Sequence, residues 1–261
     1  MFFNWVYKRS NIQILILLVL FFVVMLDILP RLLQSIPALT PTQDSTRLGL
    51  GLFGSIITLS GLLIGFLLNQ AQSNFREVQS LVSQESGRIN NLDRLLTRYG
   101  DPAISQIRKE LFDYMNSIVN DEWPMLVNGS GSTKTHMLWR GISRKIMSLE
   151  PITNRQTAMY TDIIKKSEEV AESREARIER SAVRLPGLFW VVILICMLAL
   201  MAINTLFLPS DSFFFGLKIL PITMGALISL LVITDQPFKG QSSVQPDAFY
   251  KIIESIKTRT E

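Results

Sequence analysis

Four stretches of this chain are unusually long and apolar: Ile12 to Leu29, Leu48 to Leu68, Leu185 to Leu208 and Phe213 to Thr234. Each approaches the roughly 20 residues that a helix needs to cross about 30 Å of hydrocarbon. They are read as four transmembrane helices. The overall composition agrees, with 48% apolar and 18% charged residues and a positive mean hydropathy. The first run follows Lys8 and Arg9 as a signal peptide would. No small-residue cleavage site follows it, and Pro30-Arg31-Leu32-Leu33 comes next, so it is expected to be kept as a span.

The runs divide the chain into an N-terminal pair of transmembrane helices (1–70), a helical domain (71–184), a C-terminal pair (185–235) and a C-terminal segment (236–261). With four spans, both termini and the long segment lie on one side. That side carries 23 of the 26 Lys and Arg residues, 17 of them between Ala71 and Arg184. Across the membrane sit Arg31 and Arg47, while Lys218 lies near the outer end of the fourth run, close enough to snorkel. Basic residues near short loops stay in the cytoplasm. The expectation is a multi-pass protein of a bacterial inner membrane, with both termini and the 71–184 domain cytoplasmic. The net charge of +4 fits an anionic lipid leaflet rather than nucleic acid, because no basic cluster is interleaved with aromatics.

Cys196 is the only cysteine and lies inside the third run, and His136 is the only histidine. A His/Cys zinc site, a Ser-His-Asp triad and a Cys-His pair each lack partners. No phosphate-binding glycine loop, calcium loop or usable internal repeat is present. No enzyme activity, cofactor or metal is expected. Asn128-Gly129-Ser130 fits a glycosylation acceptor, but on the cytoplasmic side it is a chance match.

Beyond the second run no Gly or Pro occurs between Leu67 and Ser86, so the helix should leave the bilayer unbroken. Phe75, Val78, Val82, Ile89, Leu92 and Leu96 recur three and four apart with one gap at Glu85, a heptad-like stripe. Gly100 offers a left-handed cap and Asp101-Pro102 a new start. A second stripe uses Ile104, Ile107, Leu111, Tyr114 and Ile118. Gly129 to Ser132 is expected to be a surface loop, Leu138 to Met147 a short helix, and Thr157 to Arg184 a long helix feeding the third span. Within it, "EEVAESREARIER" reads as a solvated face with Glu-to-Arg pairs.

The second span is rich in small and polar residues. At ~100° per residue, Gly54, Gly61 and Gly65 share a face that would let a neighbouring helix approach closely. The adjoining face presents Ser55, Thr58, Leu62, Phe66 and Asn69. Either the hydroxyls bond back to their own helix and Leu62 and Phe66 pack against a neighbour, or this face lines a symmetric pore. In the pore, Leu62 and Phe66 would form a constriction that gates by dewetting, with Asn69 at its cytoplasmic mouth.

The segment "GFLLNQAQSNFREVQSLVSQESGRINNL" resembles the inner end of the second span in bestrophin anion channels. Gly65, Phe66 and Asn69 match, and Phe75, Arg76 and Glu77 approximate an aromatic and charged block. "DQPFKGQSSVQPDAFYKIIESI" is similar to the bestrophin segment after the fourth span through Pro237, Phe238, Gly240 and Pro246, and "RLPGLFW" opens the third span similarly. The nearest likeness is to bestrophin-like bacterial membrane proteins. Resemblance implies an all-α membrane protein and a homo-oligomeric ring, pentameric in true bestrophins, around an axial pore whose neck carries Thr58, Leu62 and Phe66. The tandem Trp is replaced by Asn74-Phe75 and the acidic calcium clasp has no counterpart, so calcium activation is not implied.

The leading expectation is an ion channel for small anions such as chloride. No acidic residue lies on the candidate pore face, and Asp27 and Asp211 read as surface groups. The alternative is a membrane-anchored signalling or scaffold protein with no ion conduction, which would show a large exposed apolar patch on its cytoplasmic helices. A transporter with a midplane site would need broken helices, and only Pro221 suggests a break.

Overall fold

Ser10 opens the first helix. Its hydroxyl accepts the Gln13 N–H at 3.3 Å while Gln13 Oε1 accepts the Ser10 N–H at 3.2 Å, satisfying two donors that a helix start leaves free. This helix, α1 (Asn11–Val23), runs through a π-helical turn (Val24–Ile28) into α2 (Leu29–Leu33). The computed structural model describes residues 7–207 and 211–259, and within them the regular structure is entirely helical. The side chains of Asp211 and Lys218, for which surface and snorkelling positions are expected above, lie outside the described residues.

Thr42 and Ser45 cap each other's backbone N–H at 2.8 and 3.2 Å and start α3 (Gln43–Tyr99), which runs unbroken for 57 residues. At 1.5 Å per residue it is about 85 Å long, far more than a bilayer requires. It ends where Gly100 takes φ +76°, the left-handed conformation expected of "YGDP", and the Asp101 carboxylate accepts the Ala103 N–H at 2.7 Å to open α4 (Ala103–Ser117). A second π-helical turn (Ile118–Glu122) leads to α5 (Trp123–Leu126). Then come α6 (Thr133–Met147), α7 (Asn154–Ala182), α8 (Gly187–Asn204), α9 (Asp211–Asp235) and α10 (Asp247–Thr258).

The chain forms two units. One comprises residues up to Ser73 with Arg184–Ser242, the other Asn74–Val183 with Ser243 onward. Among the described residues, three helical stretches are long and apolar enough to cross a membrane: Asn11–Leu33, the start of Gln43–Tyr99, and the end of Asn154–Asn204. Ile219–Asp235 is a shorter apolar helix among the described side chains. In α9 the helix continues through Pro221, so no break forms there.

In the first unit, Ile14, Phe22 and Leu26 pack with Ile64, Leu67 and Ala71 of α3, Met197 and Leu200 of α8, and Met224, Ile228 and Leu231 of α9. The outward residues, including Ile16, Leu20, Leu59, Leu194 and Ile195, are also apolar and remain exposed, as side chains facing lipid should be. Polar side chains close the helix ends. Gln34 Nε2 donates to the Phe207 and Thr205 carbonyls at 2.9 and 3.2 Å, groups that the end of α8 cannot satisfy itself. Asn204 Nδ2 donates to the Leu26 carbonyl in the π-helical turn at 2.7 Å.

Helices α1 and α9 approach each other very closely. A Cβ on Gly225 would stand 2.7 Å from Val19 Cα and 3.0 Å from Val19 N. Only hydrogen fits there, so the backbones meet directly, the arrangement by which small residues hold membrane helices together.

In the second unit both apolar stripes are buried. Val78, Val82, Ile89, Leu92 and Leu96 of α3, and Ile104, Ile107, Leu111, Tyr114 and Ile118, have at most 5% exposure. Three local expectations fail. Helix α6 begins five residues before Leu138, because Ser132 caps it by accepting the Thr135 N–H. Helix α7 does not feed the third span, since residues Val183–Pro186 are non-helical and Pro186 precedes α8. The Gly129–Ser132 tract is not an outlying loop. A Cβ on Gly129 would meet Ala182 Cβ at 2.8 Å, and one on Gly131 would meet Ile178 at 2.8 Å. The tract lies flat on α7.

Gly225→Ala is expected to destabilise the first unit by about 1–3 kcal/mol, the usual cost of overpacking. A lowered thermal midpoint in detergent would register it, and Gly51→Ala, with nothing within 4 Å of the added Cβ, is the neutral control.

Candidate pore face and buried charge network

The membrane-level part of α3 has two unlike sides. Ile64, Leu67 and Ala71 are at most 3% exposed and join the core, and Ser60 is buried with its hydroxyl donating to the Ile56 carbonyl at 2.7 Å. On the other side Ser55, Thr58, Leu62, Phe66 and Asn69 are all exposed, Leu62 at 68% and Phe66 at 59%. The hydroxyls bond back to their own helix, Ser55 to the Gly51 carbonyl at 3.2 Å and Thr58 to that of Gly54 at 2.8 Å. Leu62 and Phe66 stay open within the single chain. Gly54, Gly61 and Gly65 have nothing within 4 Å of an added Cβ, so among the described residues no helix uses them for close approach.

The other motif residues fall in both units. Pro237 and Phe238 are buried in the first, where Gly240 takes φ +80° with its Cβ position 3.5 Å from the Tyr7 ring. The Tyr7 hydroxyl donates to the Val232 carbonyl at 2.8 Å. In the second unit Phe75 is half-buried, Arg76 is exposed, Glu77 pairs with Arg180, and Pro246 is buried at the start of α10. Asp27, read as a surface group, pairs with Arg31 one helical turn on.

The electrostatic centre of the second unit involves residues assigned to solvent in the sequence reading. Arg177, on the supposedly solvated face of α7, is fully buried. Its Nε and Nη2 grip the Glu85 carboxylate at 2.5 and 3.1 Å, and Nη2 also reaches Glu122 Oε1 at 2.8 Å. Arg174 pairs with both oxygens of Glu122, and the Ser132 N–H donates to Glu122 Oε2 at 3.0 Å. Two carboxylates and two guanidiniums thus cancel in a site without solvent. Arg177 Nη1 has no hydrogen-bond partner among the described residues. Instead the guanidinium lies 5.5 Å from the centre of the Trp123 ring and 5.8 Å from that of Phe249, where ring faces attract a desolvated cation.

Each member is positioned by a local device. Glu85 occupies the gap in the α3 stripe, so its side chain points inward with Val82 and Ile89. Glu122 closes the π-helical turn at the end of α4. Arg174 and Arg177 are three apart on α7, hence on one face. Gly131 lets the preceding loop lie against the network, with its Cβ position 3.3 Å from both Arg174 Nη2 and Glu122 Oε2. Burial alone would raise the Glu122 carboxyl, but the Arg174 hydrogen bond and the charges of Arg177 and Arg174 outweigh it and hold the group below its ordinary value. Burial pushes the nearby Tyr114 hydroxyl well above its ordinary value. Another buried carboxylate, Asp93, takes Arg108 Nε at 2.7 Å and Arg259 Nη1 at 3.3 Å.

Comparison with known proteins gives a consistent result. The family model of the Bestrophin-like domain matches residues 14–249. Two crystal structures of a bacterial bestrophin homologue from Klebsiella pneumoniae superpose on the chain. One, bearing a single substitution, has TM-score 0.72 and 15% identity over 97% of this chain and 98% of that one. The other, phased on zinc, has TM-score 0.67 and 14% identity over 95% and 98%. No curated protein matches.

Glu122→Gln leaves two buried guanidiniums short of a charge, and is expected to destabilise the second unit by about 3–5 kcal/mol at neutral pH. Because the folded Glu122 is depressed below its ordinary value of 4.5, its contribution is present above that pH and lost as pH falls through the folded value. The gap in thermal midpoint between native protein and Glu122→Gln should therefore narrow on acidification below that value. A gap independent of pH would contradict this assignment.

Proposed function

The chain belongs to the bestrophin-like family, and from that membership we propose that it is a homo-oligomeric channel passing small anions such as chloride. Copies arranged around an axis, five by family resemblance, would line an axial pore with the exposed face of α3. Ser55, Thr58, Leu62, Phe66 and Asn69 form that lining, and Gly54, Gly61 and Gly65 beside it allow an adjacent copy to approach closely. The chain would sit in a bacterial inner membrane with both termini and the second unit in the cytoplasm.

One observation carries this reading. Leu62 and Phe66 are large, apolar and exposed on the same helix whose opposite face is buried, and they lie one turn apart. A ring of such side chains makes a narrow apolar neck, which conducts when wetted and closes when dry. The Ser55 and Thr58 hydroxyls donate to their own helix, so the lining offers little to replace the hydration shell of an ion. Anions that give up water readily are then favoured, and no carboxylate on this face attracts cations.

Protein in liposomes should support chloride flux, and Leu62→Ala or Phe66→Ala, by widening the neck, should raise it roughly twofold or more. No flux under any ionic condition would favour a membrane-anchored scaffold instead. In nanodiscs, mass measurement should return a multiple of the 29.6 kDa chain, and a monomer would eliminate the axial pore.

A further inference from the structure

The second unit contains a cleft of about 600 Å³ bounded by the end of α3, the first three turns of α4 and the last turn of α10. This is the size of a small-molecule site. Its walls combine an apolar surface from Ile104, Phe112 and Ile256 with a rim carrying Arg108, Lys109, Lys257 and Asp101.

The rim charges are not equivalent. Arg108 is held by the buried Asp93 carboxylate, through Nε at 2.7 Å and Nη2 at 3.4 Å. Asp101 turns an oxygen to the Ala103 N–H at 2.7 Å and serves as a helix cap. Lys109 and Lys257 are exposed, and neither has a carboxylate within ion-pair distance among the described residues. Two uncompensated cations on separate helices therefore converge on one apolar cleft. Lysines on four-carbon stems can swing to meet a charge without rebuilding the wall. A cation would be repelled here, and a neutral ligand would leave both ammonium groups unused.

We propose that this cleft binds an amphipathic organic anion, a carboxylate on an aromatic or short aliphatic body, with the body against Ile104, Phe112 and Ile256 and the carboxylate between Lys109 and Lys257. Such a ligand would tie α10 to the junction of α3 and α4. At that junction Gln156 Nε2 already donates to the Tyr99 carbonyl at 3.4 Å, fastening the start of α7. The site does not depend on ion conduction.

Titration calorimetry of the full chain in nanodiscs with 2-naphthoate, corrected against empty nanodiscs, tests this directly. Saturable heat is expected, with roughly tenfold weaker binding in the Lys109→Gln, Lys257→Gln double variant from the lost attraction. Ser105 is exposed at the cleft wall, so Ser105→Trp should abolish binding while the circular dichroism spectrum stays unchanged. Absence of saturable heat would overturn the proposal. So would equal affinity for 2-naphthamide, which lacks the charge, or undiminished binding in Ser105→Trp. A changed subunit number in Ser105→Trp would assign the cleft to a seam between copies instead. The readouts are heats, masses and a circular dichroism spectrum, so they stand or fall apart from chloride flux.

Discussion

Arg177 has no access to water, and the arrangement of the second unit follows from how that charge is held. A buried guanidinium is tolerable only when its desolvation is offset by opposite charge in good geometry. Here Glu85 comes from α3, Glu122 from the π-helical turn after α4, and the ring faces from α5 and α10. One side chain on α7 therefore requires four other elements to be in register. Apolar packing along the two stripes is less demanding, since Val, Ile and Leu contacts tolerate small sliding and substitution. Moving any one of the charge-bearing elements out of register would leave a buried charge without its partner, a cost of about 3–5 kcal/mol.

Much of this architecture was readable in the chain. Apolar runs marked the helices of the first unit, and the absence of Gly and Pro after Leu67 marked α3 as continuous. The three-and-four spacing identified both buried stripes, and Gly100 with Asp101 marked the turn between them. These signals are local: each depends on residues within one or two helical turns of one another. The exposed face of α3 was legible for the same reason, since helical geometry alone groups Thr58, Leu62 and Phe66.

The charge network was not legible because its logic is long-range. "EEVAESREARIER" has the composition of a solvated helix, and nothing within it distinguishes Arg177 from Arg180, which pairs with the half-exposed Glu77. The one clue lay 92 residues away, in the gap at Glu85: a carboxylate at a stripe position must be buried, so some cation must be buried with it. The π-helical turn that aims Glu122 has no sequence signature. The close approach at Gly225 was equally hidden: it is a single residue in α9 that no periodicity singles out, and its partner Val19 lies on a helix far away in the chain.

The two sides of α3 also explain why one helix can serve two physical environments. Between Leu48 and Leu68 the exposed side chains are Gly, Leu, Phe and the back-bonded hydroxyls of Ser55 and Thr58, and the buried Ser60 hydroxyl also bonds back to its own helix, so no side-chain polar group in this stretch requires water. Over its second half the heptad-like stripe is interrupted at Glu85, Asp93 is buried beside it, and the outward side chains become charged. The change occurs with no break in the helical hydrogen bonds. In the proposed oligomer the ring of Leu62 and Phe66 and the anchor at Glu85 belong to one continuous helix. Within the second unit, a rotation of this helix about its own axis would carry Glu85 out of register. The charge network resists such a rotation, because turning Glu85 away would leave Arg177 without the acceptor of two of its hydrogen bonds.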